Sequence, residues 1–178
     1  MAPRLVLVCG PAGSGKSTHA RRYAGAGYTV VSVDELAWEA GNAAAHPLPP
    51  DVATAVAHAL RARVEDLLAA GRDVVVDSSF WSRAARDEYR ALGARHGART
   101  VVVHVDTPRD VALARVAARR AAHPHDVVLA PDVAAAYHDG FEVPTPDEGE
   151  VEVVLGVGGA HGGDGGPARP SDPPRLGP

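Results

Sequence analysis

The sequence predicts a three-layer α/β fold: a five-stranded parallel sheet with helices on both faces and a helical lid. Three observations carry this prediction. Five short, β-branched apolar runs alternate with stretches of helical period. Each run reads as apolar along its length instead of at every second residue, the mark of a strand buried on both faces. Right-handed crossovers between such strands place helices on both sides of the sheet.

The elements follow in order. Leu5–Cys9 is the first strand, and Gly10–Gly15 is a glycine-rich loop. Lys16 to about Ala24 reads as a helix ended by Gly25 and Gly27. Tyr28–Asp34 is the second strand. Pro47, Pro49 and Pro50 then break any helix. Asp51 is a good N-cap for a long helix in which Val52, Val56, Leu60, Val64, Leu67 and Leu68 recur at helical spacing before Gly71. Asp73–Asp77 is the third strand, Ser82 to about His96 a helix, and Thr100–Asp106 the fourth strand. Thr107, Pro108 and Asp110 form a helix start, and that helix is expected to run through Arg120. A short helix about Ala130–Tyr137 and a fifth strand, Glu150–Val157, complete the set.

Length and composition bound the reading. A chain of 178 residues suits one domain with a single core. We expect that domain at residues 1–157, with a lid at about 115–138. Residues 156–178 include eight Gly and five Pro, so 158–178 reads as a disordered tail. Aromatic residues are 4% of the chain, so Val, Leu and Ala must build the core. A net charge of −4 argues against a protein that coats nucleic acid. Cys9 is the single cysteine, expected as a packed thiol. No apolar run approaches the roughly 20 residues that span a bilayer. The five-residue run near the N-terminus is too short for a signal-peptide core. These features predict a cytoplasmic protein without a membrane partner.

The chemistry starts at "GPAGSGKS", which fits G-x-x-x-x-G-K-[ST] between a predicted strand and a predicted helix. Residues Gly10, Pro11, Ala12, Gly13, Ser14, Gly15, Lys16, Ser17 and Thr18 are therefore expected to hold a nucleotide. Glycines let the backbone bring its N–H groups against phosphate oxygens, and the helix N-terminus adds partial positive charge. Lys16 can reach the β- and γ-phosphates, and the Ser17 hydroxyl can serve Mg²⁺. Asp77 closes an apolar strand at its carboxyl end, where it can hold or orient Mg²⁺, or else cap the next helix. Asp34 closes the second strand and can accept the proton of an attacking hydroxyl. Arg115 and Arg119 share a helix face, with Arg120 adjacent. On a closing segment they could stabilise charge on a transferred phosphoryl group. Arg83 and Arg86 face the mouth of the site in principle, or pair with Asp87 or Glu88 on the surface. Trp38 and Trp81 follow strand ends and line a pocket or pack. His123 and His125 flank a proline and read as a polar turn.

These segments resemble the small phosphate-loop kinases of the AAA-type ATP-binding group, such as polynucleotide 5′-kinase domains, chloramphenicol phosphotransferase and zeta-toxin-like kinases. The resemblance covers roughly residues 4–155. It rests on "GPAGSGKST", "VVSVDEL", "VVVDSSFWSRAARDEY", "VHVDTPRDVALARVAARR" and "YHDGFEVPTPDEGE". It implies a sheet of order 2-3-1-4-5 and transfer of the γ-phosphate of ATP or GTP, with Mg²⁺, to a hydroxyl. The base after the second strand falls on Asp34, and the lid arginines fall on Arg115 and Arg119, with Arg120 as a near alternative. The loop at Pro144–Pro146 would lie by the nucleotide base. The expected acceptor is a small molecule or a nucleotide. A polynucleotide 5′-hydroxyl is the alternative, and no local sequence signature of a nucleic-acid groove supports it. A plain ATPase or nucleotide-dependent switch is the second alternative.

Overall fold

One parallel sheet organises the computed structural model, which describes residues 2–41, 47–118 and 129–156. Its strands are β1 (Arg4–Cys9), β2 (Thr29–Ser32), β3 (Val74–Asp77), β4 (Arg99–Asp106) and β5 (Val151–Leu155). Their spatial order is β2-β3-β1-β4-β5, as expected. β1 sits in the middle because every residue from Leu5 to Cys9 is apolar and can be buried on either face. Leu5, Leu7 and Cys9 join one core cluster with Val74, Val76, Leu60, Val64 and Leu92. Val6 and Val8 join another, on Val75, Val103 and Ala20. Complete burial of each such side chain contributes about 1.5–3 kcal/mol.

The helices are α1 (Lys16–Ala24), α2 (Val33–Glu39), α3 (Pro50–Ala69), α4 (Arg83–Arg95), α5 (Arg109–Ala118) and α6 (Pro131–Asp139). α3 buries Val56, Leu60, Val64 and Leu68, a stripe at four-residue spacing. Its N-cap position is Pro49, not Asp51. Pro50 is pre-set for the first helical position, so the helix begins two residues early and Asp51 lies in the first turn. Ser82 caps α4 by accepting from the Ala85 N–H at 3.2 Å.

Two strands differ from expectation, one in extent and one in burial. β2 stops at Ser32, and Asp34 lies in the first turn of α2, which the sequence reading took as strand. The reason is the ladder: Ser32 pairs with Asp77, the last residue of β3, so no partner remains beyond it. β5 is an edge strand paired only with β4, and it leaves Val153 and Leu155 exposed. The expected extension of α5 through Arg120, the His123–His125 turn and the tail at 158–178 lie outside the described residues.

Candidate active site

The loop from Gly10 to Gly15 is shaped by two glycine conformations. Gly15 has φ 99° and turns the chain into α1, whose first amides then face the loop. Gly13 has φ 81°, and a Cβ there would stand 2.2 Å from the Ala112 carbonyl oxygen of α5. The loop is tied down on several sides. The Thr107 hydroxyl donates to the Ser14 carbonyl at 2.9 Å, and the Gly10 N–H donates to the Ser79 carbonyl at 3.2 Å. Lys16 Nζ donates to the Pro11 carbonyl at 2.9 Å, so the lysine lies over the loop. Ser14 is fully buried, and its Oγ has no hydrogen-bond partner.

A cleft of about 610 Å³ opens from this loop. At one end stand Lys16, Ser17, Thr18, Asp34 and Asp77. Asp77 comes from the end of β3 and is buried. Burial raises its pKa; Lys16 and a hydrogen bond with Ser17 act against that rise, and the nearby Asp34 carboxylate adds to it. The residues thus fit a hydrated Mg²⁺ bound to nucleotide phosphates: one hydroxyl, one carboxylate and a neighbouring carboxylate. Among the described residues no cluster of three or more His, Cys, Asp or Glu stands ready for a metal.

The other end of the cleft is apolar, with Leu48, Leu129, Trp81, Tyr137 and Phe141 on its walls. Trp81 is 59% exposed, and Trp38 is not among the lining residues. The turn that presents Trp81 has an unusual backbone. Phe80 adopts φ 41°, a conformation bulky residues rarely take, and buries its ring against Tyr89. Arg86 holds this turn. Its Nη1 donates to the carbonyls of Phe80 and Glu142, both at 2.9 Å. Its Nε and Nη2 pair with the two carboxylate oxygens of Glu148 at 2.7 Å. Both side chains of the pair are buried. Arg86 keeps Glu148 far below the usual carboxylate range, at about 2, aided by the Thr145 N–H and Arg90. The Glu142 carboxylate accepts from the Arg83 N–H at 2.7 Å, while its own N–H donates to the Trp81 carbonyl at 2.8 Å.

The expected site residues divide accordingly. Pro11, Ala12, Gly13, Gly15, Lys16, Ser17, Thr18, Asp34 and Asp77 line one cleft, while Gly10 and Ser14 are buried behind it. Arg115 is drawn to the back of the loop: its guanidinium donates to the Gly13 carbonyl at 3.3 Å and the Gly156 carbonyl at 3.2 Å. Arg119 and Arg120 lie outside the described residues. Arg86 is a buried clamp with Glu148, neither at the mouth nor paired on the surface. Arg83 does pair with Asp87, at 3.6 Å, and more closely with Asp147, at 2.6 Å. Burial pushes the Cys9 thiol up to about 12, which leaves it a packed, protonated group. The Tyr137 and Phe141 walls had no local signal beyond being aromatic near the quoted "YHDGFE" stretch.

Loop, strand order and paired carboxylates together define a phosphate-loop nucleotide-binding fold. The chain belongs to the AAA domain family, whose sequence profile matches residues 5–144. Comparison with curated proteins finds no match. Among solved structures the chain is similar to a candidate kinase from Chloroflexus aurantiacus, at 19% identity, with a TM-score of 0.69 over 87% of this chain and 89% of that one. It is also similar to Kti12 of Chaetomium thermophilum in complex with ADP-AlF3, at 20% identity and TM-score 0.66 over 85% and 88%. A sugar kinase from Janibacter sp. HTCC2649 matches at 23% identity and TM-score 0.64 over 86% of each chain. At these identities the likeness establishes the fold.

Proposed function

We propose that the protein is an ATP-dependent phosphotransferase that moves the γ-phosphoryl group to a hydroxyl of a small molecule or nucleotide. One observation carries this reading. Asp34 and Asp77 stand with Lys16 and Ser17 at one end of a cleft that continues past the phosphate loop. Its volume is in the range of small-molecule sites. A switch protein has no need of an apolar extension of the cleft beyond its carboxylates.

In this reading the loop amides and Lys16 hold the β- and γ-phosphates. Ser17 and Asp77 would hold Mg²⁺, which offsets phosphate charge when bound. Asp34 orients the acceptor hydroxyl and takes its proton as the oxygen attacks phosphorus. The bond from phosphorus to the bridging oxygen breaks, and ADP leaves. Arg115 is a positioning residue for the loop backbone, through Gly13. Arg119 and Arg120 retain the charge-stabilising role assigned from sequence.

The test is Asp34→Asn with labelled ATP and a panel of alcohols. We expect ATP affinity to stay within about threefold while transfer falls by about 10²–10⁴. Label found only as free phosphate with every alcohol, at a rate indifferent to Asp34→Asn, would replace this reading with a plain ATPase.

A further inference from the structure

We infer that the acceptor is an uncharged alcohol carrying a flat ring, and that Trp81 is the platform on which the ring lies. This rests on the phosphotransferase reading and narrows its substrate.

Charge and exposure argue for it. Among the described residues, the charged side chains lining the cleft are Lys16, Asp34 and Asp77. All three stand at the phosphate-loop end, so the apolar end has no charged side chain on its walls among the described residues. A carboxylate or phosphate on the acceptor would find no described cation on these walls and would have to be desolvated there, with Asp34 and Asp77 further along the same cleft. The walls are suited to the opposite chemistry. Trp81 and Tyr137 are among the few large apolar side chains left exposed, and both line this cleft. Aromatic faces gain from stacking beyond simple burial.

The backbone shows that the presentation of Trp81 is built. Phe80 takes a left-handed conformation with its ring in the core, and the next residue, Trp81, stays exposed at the cleft. Three hydrogen bonds hold that turn: Arg86 to the Phe80 carbonyl, Arg86 to the Glu142 carbonyl, and the Glu142 N–H to the Trp81 carbonyl. A side chain so supported yet exposed is suited to meeting a ligand.

The test uses a matched pair of probes, 4-nitrophenyl β-glucoside and 4-nitrophenyl β-glucuronide. They share ring and sugar and differ in a carboxylate. In the Trp38→Phe protein, Trp81 is the single tryptophan, and the nitrophenyl group quenches its emission on contact. The glucoside should quench saturably, with the glucuronide about tenfold weaker or worse. By calorimetry, Trp81→Ala should weaken the glucoside by about tenfold, and Trp81→Phe by no more than about threefold. Equal or tighter binding of the glucuronide, or quenching that never saturates, overturns the inference. Transfer of label from ATP is followed in parallel with the alcohol panel. Saturable quenching without transfer to any alcohol would remove the phosphotransferase reading and leave the ring platform. Transfer favouring the glucuronide over the glucoside would do the reverse.

Discussion

Single residues carry opposing demands at this site. Asp77 is a carboxylate in a buried place, and burial raises its pKa. A group with a raised folded pKa favours the folded state below its ordinary range, and that contribution is lost as pH rises through the folded pKa. At neutral pH the charged Asp77 therefore weakens the fold that it serves. Asp77→Asn should raise stability without nucleotide by about 1 kcal/mol, read by urea denaturation, while transfer with Mg²⁺ falls. Lys16→Ala should act mainly on function. It should leave the melting temperature nearly unchanged and cut turnover of labelled ATP by about 10² or more.

Elements are joined by a few buried polar contacts. α4, the Phe80 turn and the chain through Glu142 and Glu148 meet on Arg86. Removing one partner of a buried pair strands the other, so Arg86→Ala should cost about 3–5 kcal/mol in chemical denaturation. The same clamp sets a pH response. Glu148 falls from 4.5 to about 2 on folding, so its contribution is complete above pH 4.5 and disappears as pH falls toward 2. Glu148→Gln should flatten the loss of stability between those values; an unchanged acid limb would place the sensitivity in other carboxylates. The phosphate loop depends on α5 in a similar way. Gly13→Ala forces a Cβ into the Ala112 carbonyl at a positive φ and should cost more than about 2 kcal/mol. Gly97→Ala also has a positive φ, but in open space, so it should cost only about 1 kcal/mol.

Across the molecule, the sheet ends where the site begins. β1, β2 and β3 all run toward the cleft, and their carboxyl ends or following turns deliver the phosphate loop, Asp34 and Asp77 to it. The far edge closes on the back of the same loop. The Gly156 N–H donates to the Asp106 carbonyl at 2.6 Å, and its own carbonyl accepts from Arg115. We propose that the domain ends just beyond this point. Truncation after Gly158 should leave the melting temperature within about 1 °C, whereas truncation after Leu155 should lower it by several degrees. A large loss on truncation after Gly158 would show that residues 159–178 contribute to folding.

The sequence by itself determined the strands, their parallel packing and the phosphate loop, while the strand order was implied by the family resemblance. These rest on local patterns: continuous apolar runs, glycines at required turns, and a lysine and serine at set spacing. Asp34 and Asp77 were legible for the same reason, since each follows such a run. The tertiary structure alone decided where β2 ends, because that depends on where its partner β3 stops. It alone turned Arg86 from a surface candidate into a buried clamp, because Glu148 lies 62 residues away in the chain. It also drew Arg115 to the back of the loop and brought Trp81, Tyr137 and Phe141 to one cleft. Such pairings depend on chain crossings distant in sequence, and no local period encodes them. The phosphate-loop end of the cleft is therefore written in one short stretch, and its apolar end exists only once the chain has folded.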